Sequence, residues 1–332
     1  MNEQTLCGKI LEGVGGKYTV EINAPSTVYH HKTLLCPAKG IFRHANITPL
    51  PGDNVEVLLS SSDEKVPSGA NTCSAVISTI LDRKNALIRP PMANLDLIFA
   101  VFASANPAPM PDVIDKLLLI AEQNGIPPVI VITKSELSPD TAKELTDTYK
   151  KTPYPIFSLS ADTGEGLKEF RSFLRDTLPG KTIAFAGASG IGKSTLINAL
   201  FPSFSLKTSE ISEKTHRGRH TTRKVSLLPI RELGDNTYLA DTPGFSMLDF
   251  VHFDFFALED LPYNFPEFRK HLGTCRYTRC THLCEDGCSI VEALHSGEIA
   301  RSRHESYVAL YNILKKKNKW DKSSESNTRR GR

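Results

Sequence analysis

The chain has 332 residues, of which 40% are hydrophobic and 23% are charged, and its formal net charge is +3. This composition is typical of a soluble globular protein, and the length exceeds that of one ordinary domain. The sequence shows neither a secretory signal nor an apolar run long enough to span a bilayer, which argues against secreted and membrane classes. We therefore expect a monomeric cytoplasmic protein of two or three domains, without a membrane partner.

The N-terminal part, from about Leu6 to Leu81, alternates short β-prone segments with turn-forming Gly, Pro, Ser and Asp residues. The clearest predicted strands are Tyr18–Ile22, Thr33–Cys36, Val55–Leu59 and Ala75–Ile80. About five short strands in this length predict a small β-barrel over residues 1–78. An OB-fold is the first candidate, and an SH3-like barrel is the alternative.

From Asn94 onward, predicted strands alternate with predicted helices. The strands are Leu97–Phe102, Val129–Ile132, Ile156–Phe157 and Thr182–Ala186, and the helices are Asp112–Asn124, Leu167–Leu174 and one that begins at Lys193. This alternation predicts an α/β domain over residues 79–246, with a mostly parallel sheet and helices on both faces.

A candidate phosphate-binding loop lies between the last of these strands and the helix that follows it. Gly187–Ser194 matches the pattern G-x-x-x-x-G-K-[ST], in which backbone N–H groups surround phosphate oxygens. Lys193 would reach the β- and γ-phosphates, and Ser194 would hold Mg²⁺. A chance glycine turn is the alternative. The residues predicted to bind nucleotide here are Gly187, Ala188, Ser189, Gly190, Ile191, Gly192, Lys193, Ser194 and Thr195.

A second phosphate element follows downstream, where Asp241-Thr-Pro-Gly244 ends a predicted strand. Its spacing from the phosphate loop suits the D-x-x-G element of a GTPase. Asp241 would hold Mg²⁺ through water, and the N–H of Gly244 would approach the γ-phosphate.

The base-reading elements precede the phosphate elements in the chain. Thr133, Lys134, Ser135 and Glu136 follow one predicted strand, and Ser160 and Ala161 follow the next. In GTPases this lysine packs on guanine, the carboxylate binds the ring N1–H and 2-amino group, and the Ser-Ala backbone reads O6. Since adenine would leave the carboxylate unpaired, the pattern predicts GTP and GDP as ligands. The order of the motifs indicates a circular permutation.

Residues 247–332 contain a cluster of metal-ligand types, Cys275, Cys280, His282, Cys284 and Cys288. Tetrahedral Zn²⁺ takes four such ligands. A C-x₄-C-x-H-x₅-C set would use Cys275, Cys280, His282 and Cys288 for one structural ion, and a core of reduced cysteines is the alternative. The lysine- and arginine-rich stretch from Lys315 to Arg332 is either a solvated, disordered end or an arm that binds polyanions.

Together, these elements strongly resemble the RsgA (YjeQ) family of circularly permuted ribosome-biogenesis GTPases. The residues that carry the resemblance are Arg83–Asn85, Arg89–Pro91, Thr133–Glu136, Gly187–Ser194, Arg217–Thr222, Asp241–Gly244 and the Cys/His cluster. The resemblance implies an OB-fold, a GTPase domain and a helical zinc domain that act on the small (30S) ribosomal subunit and its rRNA during late maturation. It also selects Cys275, Cys280, His282 and Cys288 as the zinc ligands.

Two positions depart from the usual GTPase pattern. Glu136 replaces the usual Asp of the base-reading element, and Phe245 stands where many GTPases have a water-orienting Gln. The catalytic candidates therefore come from the basic first switch, Arg217–Thr222. Thr221 or Thr222 would contact Mg²⁺ and the γ-phosphate. His220 would approach the attacking water, or would instead contact RNA phosphate.

Two other classes of function compete with a ribosome-stimulated GTPase. One is a non-catalytic RNA-binding protein that the nucleotide only stabilises, which the intact Lys193, Ser194 and Asp241 disfavour. The other is an ATP-using P-loop protein, which the base-reading elements disfavour.

Overall fold

The computed structural model describes residues 3–60, 74–204, 225–241 and 257–330. The chain divides into two compact units. One comprises Met1–Ile98, Arg171–Phe185 and Phe201–Phe245, and the other comprises Phe99–Phe170, Ala186–Leu200 and Ser246–Arg332. Within the described ranges, none of the helices combines the length and the apolar character that a bilayer crossing requires.

The first unit opens with a curled five-stranded antiparallel sheet, which confirms the expected OB-like domain. Its strands have the spatial order β3-β2-β1-β4-β5. They are β1 (Glu3–Val14), β2 (Lys17–Ile22), β3 (Thr33–Pro37), β4 (Asn54–Ser60) and β5 (Ser74–Ile80), with the short helix α1 (Ile41–His44) between β3 and β4. A parallel bridge between Ala38 and Ile77 brings the two edges together, so the sheet closes into a half-barrel.

The sequence patterns did not single out the longest and most central of these strands. Strand β1 is 12 residues long. Its second half pairs with β2 and its first half pairs with β4. Glycines at Gly8 and Gly13 obscure its β signal, because Gly is depleted in strands. At Gly8 the missing side chain is required, since a Cβ there would lie 2.6 Å from Val20 Cγ1 and 2.7 Å from the Glu21 carbonyl oxygen.

Arg83 and Asn85, two of the residues that carry the family resemblance, make hydrogen bonds just after β5. The Arg83 guanidinium pairs with the fully buried Asp53 at 2.7 and 2.8 Å. The Asn85 side chain both accepts from the Leu95 N–H and donates to the Leu95 carbonyl. A small hairpin of β6 (Ala86–Leu87) and β7 (Met92–Ala93) lies between Asn85 and Leu95.

A six-stranded sheet has the order β10-β9-β8-β11-β13-β12. These strands are β8 (Leu97–Ala103), β9 (Pro128–Thr133), β10 (Ile156–Ser158), β11 (Thr182–Ala186), β12 (Ser226–Pro229) and β13 (Tyr238–Asp241). Strands β9 and β10 are parallel, as are β11 and β13, whereas β12 is antiparallel to β13. Every residue of β8, β9 and β11 is buried, as expected for strands that are covered on both faces.

The helices that accompany this sheet are α2 (Pro111–Gln123), α3 (Pro139–Tyr149), α4 (Leu167–Thr177) and α5 (Lys193–Leu200). The C-terminal region contains 3₁₀ helices at Leu261–Asn264 and Pro266–His271, followed by α6 (Ser289–His295) and α7 (Arg301–Arg330). The backbone of the basic tail therefore extends α7 as far as Arg330, rather than forming an irregular end.

A buried ionic network joins α7 to α2 within the second unit. The Arg303 side chain, 1% exposed, donates to Asp115 at 2.6 Å and to Glu267 at 2.7 Å. The Tyr149 hydroxyl donates to the same Asp115 carboxylate at 2.9 Å. Burial raises the pKa of Asp115, and the adjacent guanidinium opposes that shift. One buried guanidinium therefore pairs with two buried carboxylates, and such pairing is the condition under which buried charges are tolerated.

Candidate functional site

The phosphate loop connects β11 to α5, as its sequence pattern predicted. Gly187, Gly190 and Gly192 all have left-handed backbone angles, with φ of 153°, 78° and 91°. At Gly187 a Cβ would collide with the carbonyl oxygen of Val101 on the neighbouring strand β8. Only glycine fits there, and the loop can therefore turn tightly enough to direct its N–H groups toward an anion at the start of α5.

Lys193 is the charged residue of this loop. Its Nζ donates to the carbonyl oxygens of Gly187 at 2.7 Å and Ala188 at 2.6 Å. Burial lowers the pKa of Lys193 to about 8. A lysine that loses hydration without gaining an anionic partner is poised to bind a phosphate group. Ser194 is half-buried and Thr195 is exposed, both on the first turn of α5.

The predicted base-reading residues lie directly against this loop, although they are more than 50 positions away in the chain. The buried Thr133 hydroxyl donates to the Ile191 carbonyl at 2.6 Å, and Lys134 Nζ donates to the Gly190 carbonyl at 2.8 Å. Lys134 has a φ of 55°, an uncommon conformation that is typical of functional turns. The structure thus brings the two sets of predicted residues together in one place.

The remaining base-reading residues gather at the same end of the sheet because β9 and β10 are parallel, with Ser158 opposite Ile132. The Ser135 N–H donates to the Leu159 carbonyl at 3.3 Å, which ties the two loops together. Ser160 is fully buried, and its hydroxyl accepts from the Thr163 N–H at 3.0 Å. Ala161, the next residue, is half-buried.

Glu136 carries an unsatisfied carboxylate. Its Oε2 is buried and makes no hydrogen bond with any described residue. A buried carboxylate oxygen without a donor requires an explanation. The guanine N1–H and 2-amino group are donors of the right kind, which agrees with the role that the sequence predicted for this position.

Sequence reasoning missed two residues beside this site. The Asn106 carbonyl accepts a short hydrogen bond from Lys134 Nζ, and the Ser104 hydroxyl donates to the Lys134 carbonyl at 2.6 Å. Both follow the buried strand β8. The available signal was an Asn-Pro turn directly after an apolar run, which marks a loop at a strand end but does not specify its partner.

The other predicted phosphate elements are only partly described. Asp241 is the last residue of β13 and is exposed. Gly244 and the catalytic candidates His220, Thr221 and Thr222 lie outside the described residues.

The cysteine loop has the geometry of a four-ligand metal centre. The potential ligand atoms of Cys275, Cys280, His282 and Cys288 all lie within 4.8 Å of one another. His282 Nδ1 is 3.6 Å from Cys275 Sγ and 3.5 Å from Cys288 Sγ, and the two sulfurs are 3.9 Å apart. Tetrahedral zinc, with Zn–S of about 2.3 Å and Zn–N of about 2.0–2.1 Å, implies S···N and S···S separations of about 3.6 and about 3.8 Å. The residues therefore fit Zn²⁺.

Polar contacts hold this loop in place from outside. The His304 ring donates from Nε2 to the His282 carbonyl at 2.8 Å, and the Tyr307 hydroxyl donates to the Thr281 carbonyl at 2.8 Å. The Glu285 carboxylate accepts from the N–H groups of Thr281 at 2.8 Å and Leu283 at 2.9 Å. Burial raises the pKa of Glu285, but the hydrogen bond from the Thr281 hydroxyl and those from the backbone N–H groups of Glu285, Thr281 and Cys284 lower it to about 2. Cys284 is exposed and does not belong to the four-ligand group.

Comparison with known families gives matches along most of the chain. A family model described as RsgA GTPase matches residues 80–251, and one described as RsgA N-terminal domain matches residues 7–66. A relative from Caldanaerobacter subterraneus is 39% identical over 313 residues, which is 94% of this chain and 97% of the relative. A relative from Bacillus subtilis is 34% identical over 313 residues, 93% and 97% of the two chains. Both are named small ribosomal subunit biogenesis GTPase RsgA.

Solved structures agree with these sequence matches. The crystal structure of YjeQ from Thermotoga maritima has a TM-score of 0.69 and 31% identity, and the match covers 94% of this chain and 99% of that one. The structure of YloQ, titled a circularly permuted GTPase, has a TM-score of 0.70 and 30% identity, covering 95% and 96% of the two chains.

Proposed function

The chain belongs to the RsgA family of GTPases and hydrolyses GTP, and on that premise we propose that it acts in the biogenesis of the small ribosomal subunit. It binds the 30S subunit and its rRNA, and GTP hydrolysis is coupled to late subunit maturation and to its own release. The contact of Thr133 and Lys134 with the phosphate loop is the observation that carries the nucleotide part of this proposal, and the relatives named small ribosomal subunit biogenesis GTPase support its ribosomal part. It links the groups that would read the base to the groups that would hold the phosphates.

The proposed mechanism assigns a task to each part of the nucleotide site. Lys193 exchanges its contacts with the Gly187 and Ala188 carbonyls for contacts with the β- and γ-phosphates. Glu136 accepts the guanine donors with its unpaired oxygen. Mg²⁺, held by Ser194 and through water by Asp241, would neutralise the charge that develops on the phosphates.

Hydrolysis is assigned to the first switch. His220 orients the attacking water, and Thr221 or Thr222 contacts the γ-phosphate. Contact of rRNA with this basic segment positions its catalytic residues, so turnover is slow without the subunit and faster with it. The basic residues that support RNA contact in the sequence are Lys214, Arg217, Arg219, Arg223 and Lys224.

The C-terminal loop supports a structural role for zinc. One Zn²⁺ ion is held by Cys275, Cys280, His282 and Cys288, whose ligand atoms have tetrahedral spacing. The domains are assigned as an RNA-binding barrel (1–78), a GTPase domain (79–246) and a zinc-binding domain with a basic tail (247–332). The protein works as a cytoplasmic monomer.

Phosphate release from GTP and from ATP, with and without 30S subunits and at fixed salt, tests this function. We expect hydrolysis of GTP but not of ATP, and at least tenfold faster turnover in the presence of subunits. ATP hydrolysis of similar rate would contradict the assigned base reading. A GTP rate that subunits leave unchanged would favour a passive RNA-binding protein.

A further inference from the structure

A second group of metal-ligand side chains lies in the first unit, outside the cysteine loop. His30 and His31 follow β2, and Asp235 lies in the turn between β12 and β13. Potential ligand atoms of all three lie within 4.8 Å of one another. His31 Nε2 is 3.0 Å from Asp235 Oδ1, and His30 Nε2 is 3.9 Å from Asp235 Oδ2.

These distances are close to those that a metal ion requires. Bonds of about 2.0–2.2 Å to nitrogen and oxygen in tetrahedral geometry place neighbouring ligand atoms about 3.3 Å apart. The Asp235 side chain is 62% exposed, so a small rotation can equalise its distances to the two rings. The two imidazole rings lie against each other, with centroids 3.7 Å apart and planes tilted by 33°.

The donor set selects a class of ion. Two imidazoles and one carboxylate suit Zn²⁺, Ni²⁺, Co²⁺ or Cu²⁺, whereas Mg²⁺ and Ca²⁺ prefer sites made of oxygen ligands. Three protein ligands leave a further position open to water or to a solute, unlike the four-ligand cysteine loop.

A buried carboxylate behind His31 is an independent indication of a ligand. Glu21 is fully buried, and its Oε1 lies 3.4 Å from His31 Nδ1. Its second oxygen, Oε2, is buried and makes no hydrogen bond with any described residue. Histidines that bind a metal through one nitrogen usually donate from the other to a carboxylate, which fixes the ring and raises its basicity. Glu21 is placed for that role.

The guanidinium of Arg231 lies close to this cluster and opposes metal binding. It pairs with Glu21 Oε1 and lies 3.2 Å from His31 Nδ1. The side chain is 43% exposed and can move away from the ring while it keeps its pairing with Glu21. Glu21, Asp235 and Arg231 together still give a net negative charge, which favours a divalent cation.

The backbone at His31 is also held in an uncommon conformation. Its φ is 59°, and its N–H donates to the Ile22 carbonyl at 2.9 Å while the Ile22 N–H donates to the Lys32 carbonyl. A left-handed residue that is not glycine persists only where its surroundings impose it, and such residues gather at functional sites. Here the conformation presents two consecutive histidines on the same side.

We propose that His30, His31 and Asp235 bind one divalent transition-metal ion, with Glu21 as the positioning residue behind His31. This site goes beyond the proposed ribosomal function and does not depend on it. A bound ion would link the loop between β2 and β3 to the turn between β12 and β13.

The test uses full-length protein whose cysteine loop is already loaded with zinc, verified by elemental analysis as one ion per chain. ZnCl₂ is then titrated by calorimetry into the wild type and into His31→Ala, Asp235→Asn, Glu21→Gln and His44→Ala. His44 is an exposed histidine in the same unit and serves as the matched control. Circular dichroism and GTP turnover of each variant report on its folding.

We expect the wild type and His44→Ala to bind a second equivalent of Zn²⁺ that millimolar Mg²⁺ does not displace. His31→Ala and Asp235→Asn should weaken this second binding more than tenfold, and Glu21→Gln about tenfold, as outer-shell substitutions do. The proposal is overturned if the folded, zinc-loaded wild type takes up no Zn²⁺ beyond the ion already present, or if folded His31→Ala takes up the additional ion as tightly as the wild type.

Discussion

The nucleotide site and the cysteine loop are built in opposite ways. The nucleotide site joins segments that are far apart in sequence. Thr133 reaches Ile191 because Thr133 ends the buried strand β9 and Ile191 follows the buried strand β11. The cysteine loop takes all four candidate ligands from residues 275–288, between the 3₁₀ helix Pro266–His271 and α6. The difference teaches that the first site should survive the loss of its ligand, whereas the second should depend on its ion for its fold.

The largest effect should come from removing a ligand of the cysteine loop. Structural zinc contributes about 10–16 kcal/mol of apparent binding free energy in small metal domains. Cys275→Ala should therefore lose the ion and expose residues 257–300 to protease. Cys284→Ala, a matched thiol in the same loop outside the ligand group, should keep both the ion and the protection. Elemental analysis and limited proteolysis provide the measurements. A protease-resistant, metal-free Cys275→Ala chain would show that the loop folds without zinc.

The buried ionic network should give the next largest effect. Arg303→Met leaves Asp115 and Glu267 without their cation, and breaking a buried pair in this way costs about 3–5 kcal/mol. Arg301→Met is the matched control, because Arg301 pairs with Glu305 on the surface and is 86% exposed. Denaturant unfolding should show a large loss of stability for the first variant and almost none for the second. Equal losses would mean that the network adds nothing beyond helix packing.

Within the nucleotide site, the Thr133 hydroxyl offers a smaller and more local test. Thr133→Val keeps the shape of the side chain but leaves the Ile191 carbonyl unsatisfied, at a cost of about 1–3 kcal/mol. We expect GDP affinity to fall about tenfold, because the base-reading loop loses its hydrogen bond to the phosphate loop, and the unfolding midpoint to fall by a few degrees. Fluorescent GDP titration and thermal unfolding measure the two quantities. If Thr133→Val unfolds at a lower temperature but binds GDP as tightly as the wild type, then Thr133 contributes to the core and not to the nucleotide site.

The smallest expected effect is the uptake of a proton by Lys193 when GDP binds. Burial lowers the pKa of Lys193 to about 8, so about half of the free protein carries this charge at pH 8. A bound phosphate favours the charged form, and GDP binding at pH 8 should therefore take up about half a proton at this residue. As pH rises from 7 to 9, the charged fraction falls and the affinity should fall about tenfold with it.

Calorimetry at pH 8 in two buffers of different ionisation enthalpy measures this uptake, and Lys193→Ala should abolish it. Identical uptake in wild type and variant would place the titrating group elsewhere.

The same contrast explains how far the sequence could predict the molecule. The sequence could predict which residues come together at the phosphate loop and in the cysteine loop, because each of these chemistries demands fixed residue types at short spacing. The structure places Thr133 against Ile191 and gathers Cys275, Cys280, His282 and Cys288. Strand β1 was missed because its Gly8 weakens the β signal of the sequence. The reason for a glycine at this position is the close approach of Val20, and that contact exists only once β1 and β2 have paired. His30, His31 and Asp235 were missed because two ordinary turns form their cluster only after folding. The contacts of Asn106 with Lys134 were hidden for the same reason.

The central claim is that nucleotide state controls binding to the small subunit, and comparing two affinities tests it most directly. Strand β13 ends at Asp241, and the chain then continues toward the cysteine loop, so γ-phosphate contacts at Asp241 and Gly244 should bias the C-terminal region. The affinity of the protein for 30S subunits is measured with a non-hydrolysable GTP analogue and with GDP, at one salt concentration. We predict at least tenfold tighter binding in one of the two states, with the subunit favouring the same nucleotide in return. Equal affinities would contradict the account, because the nucleotide would then exert no control over binding.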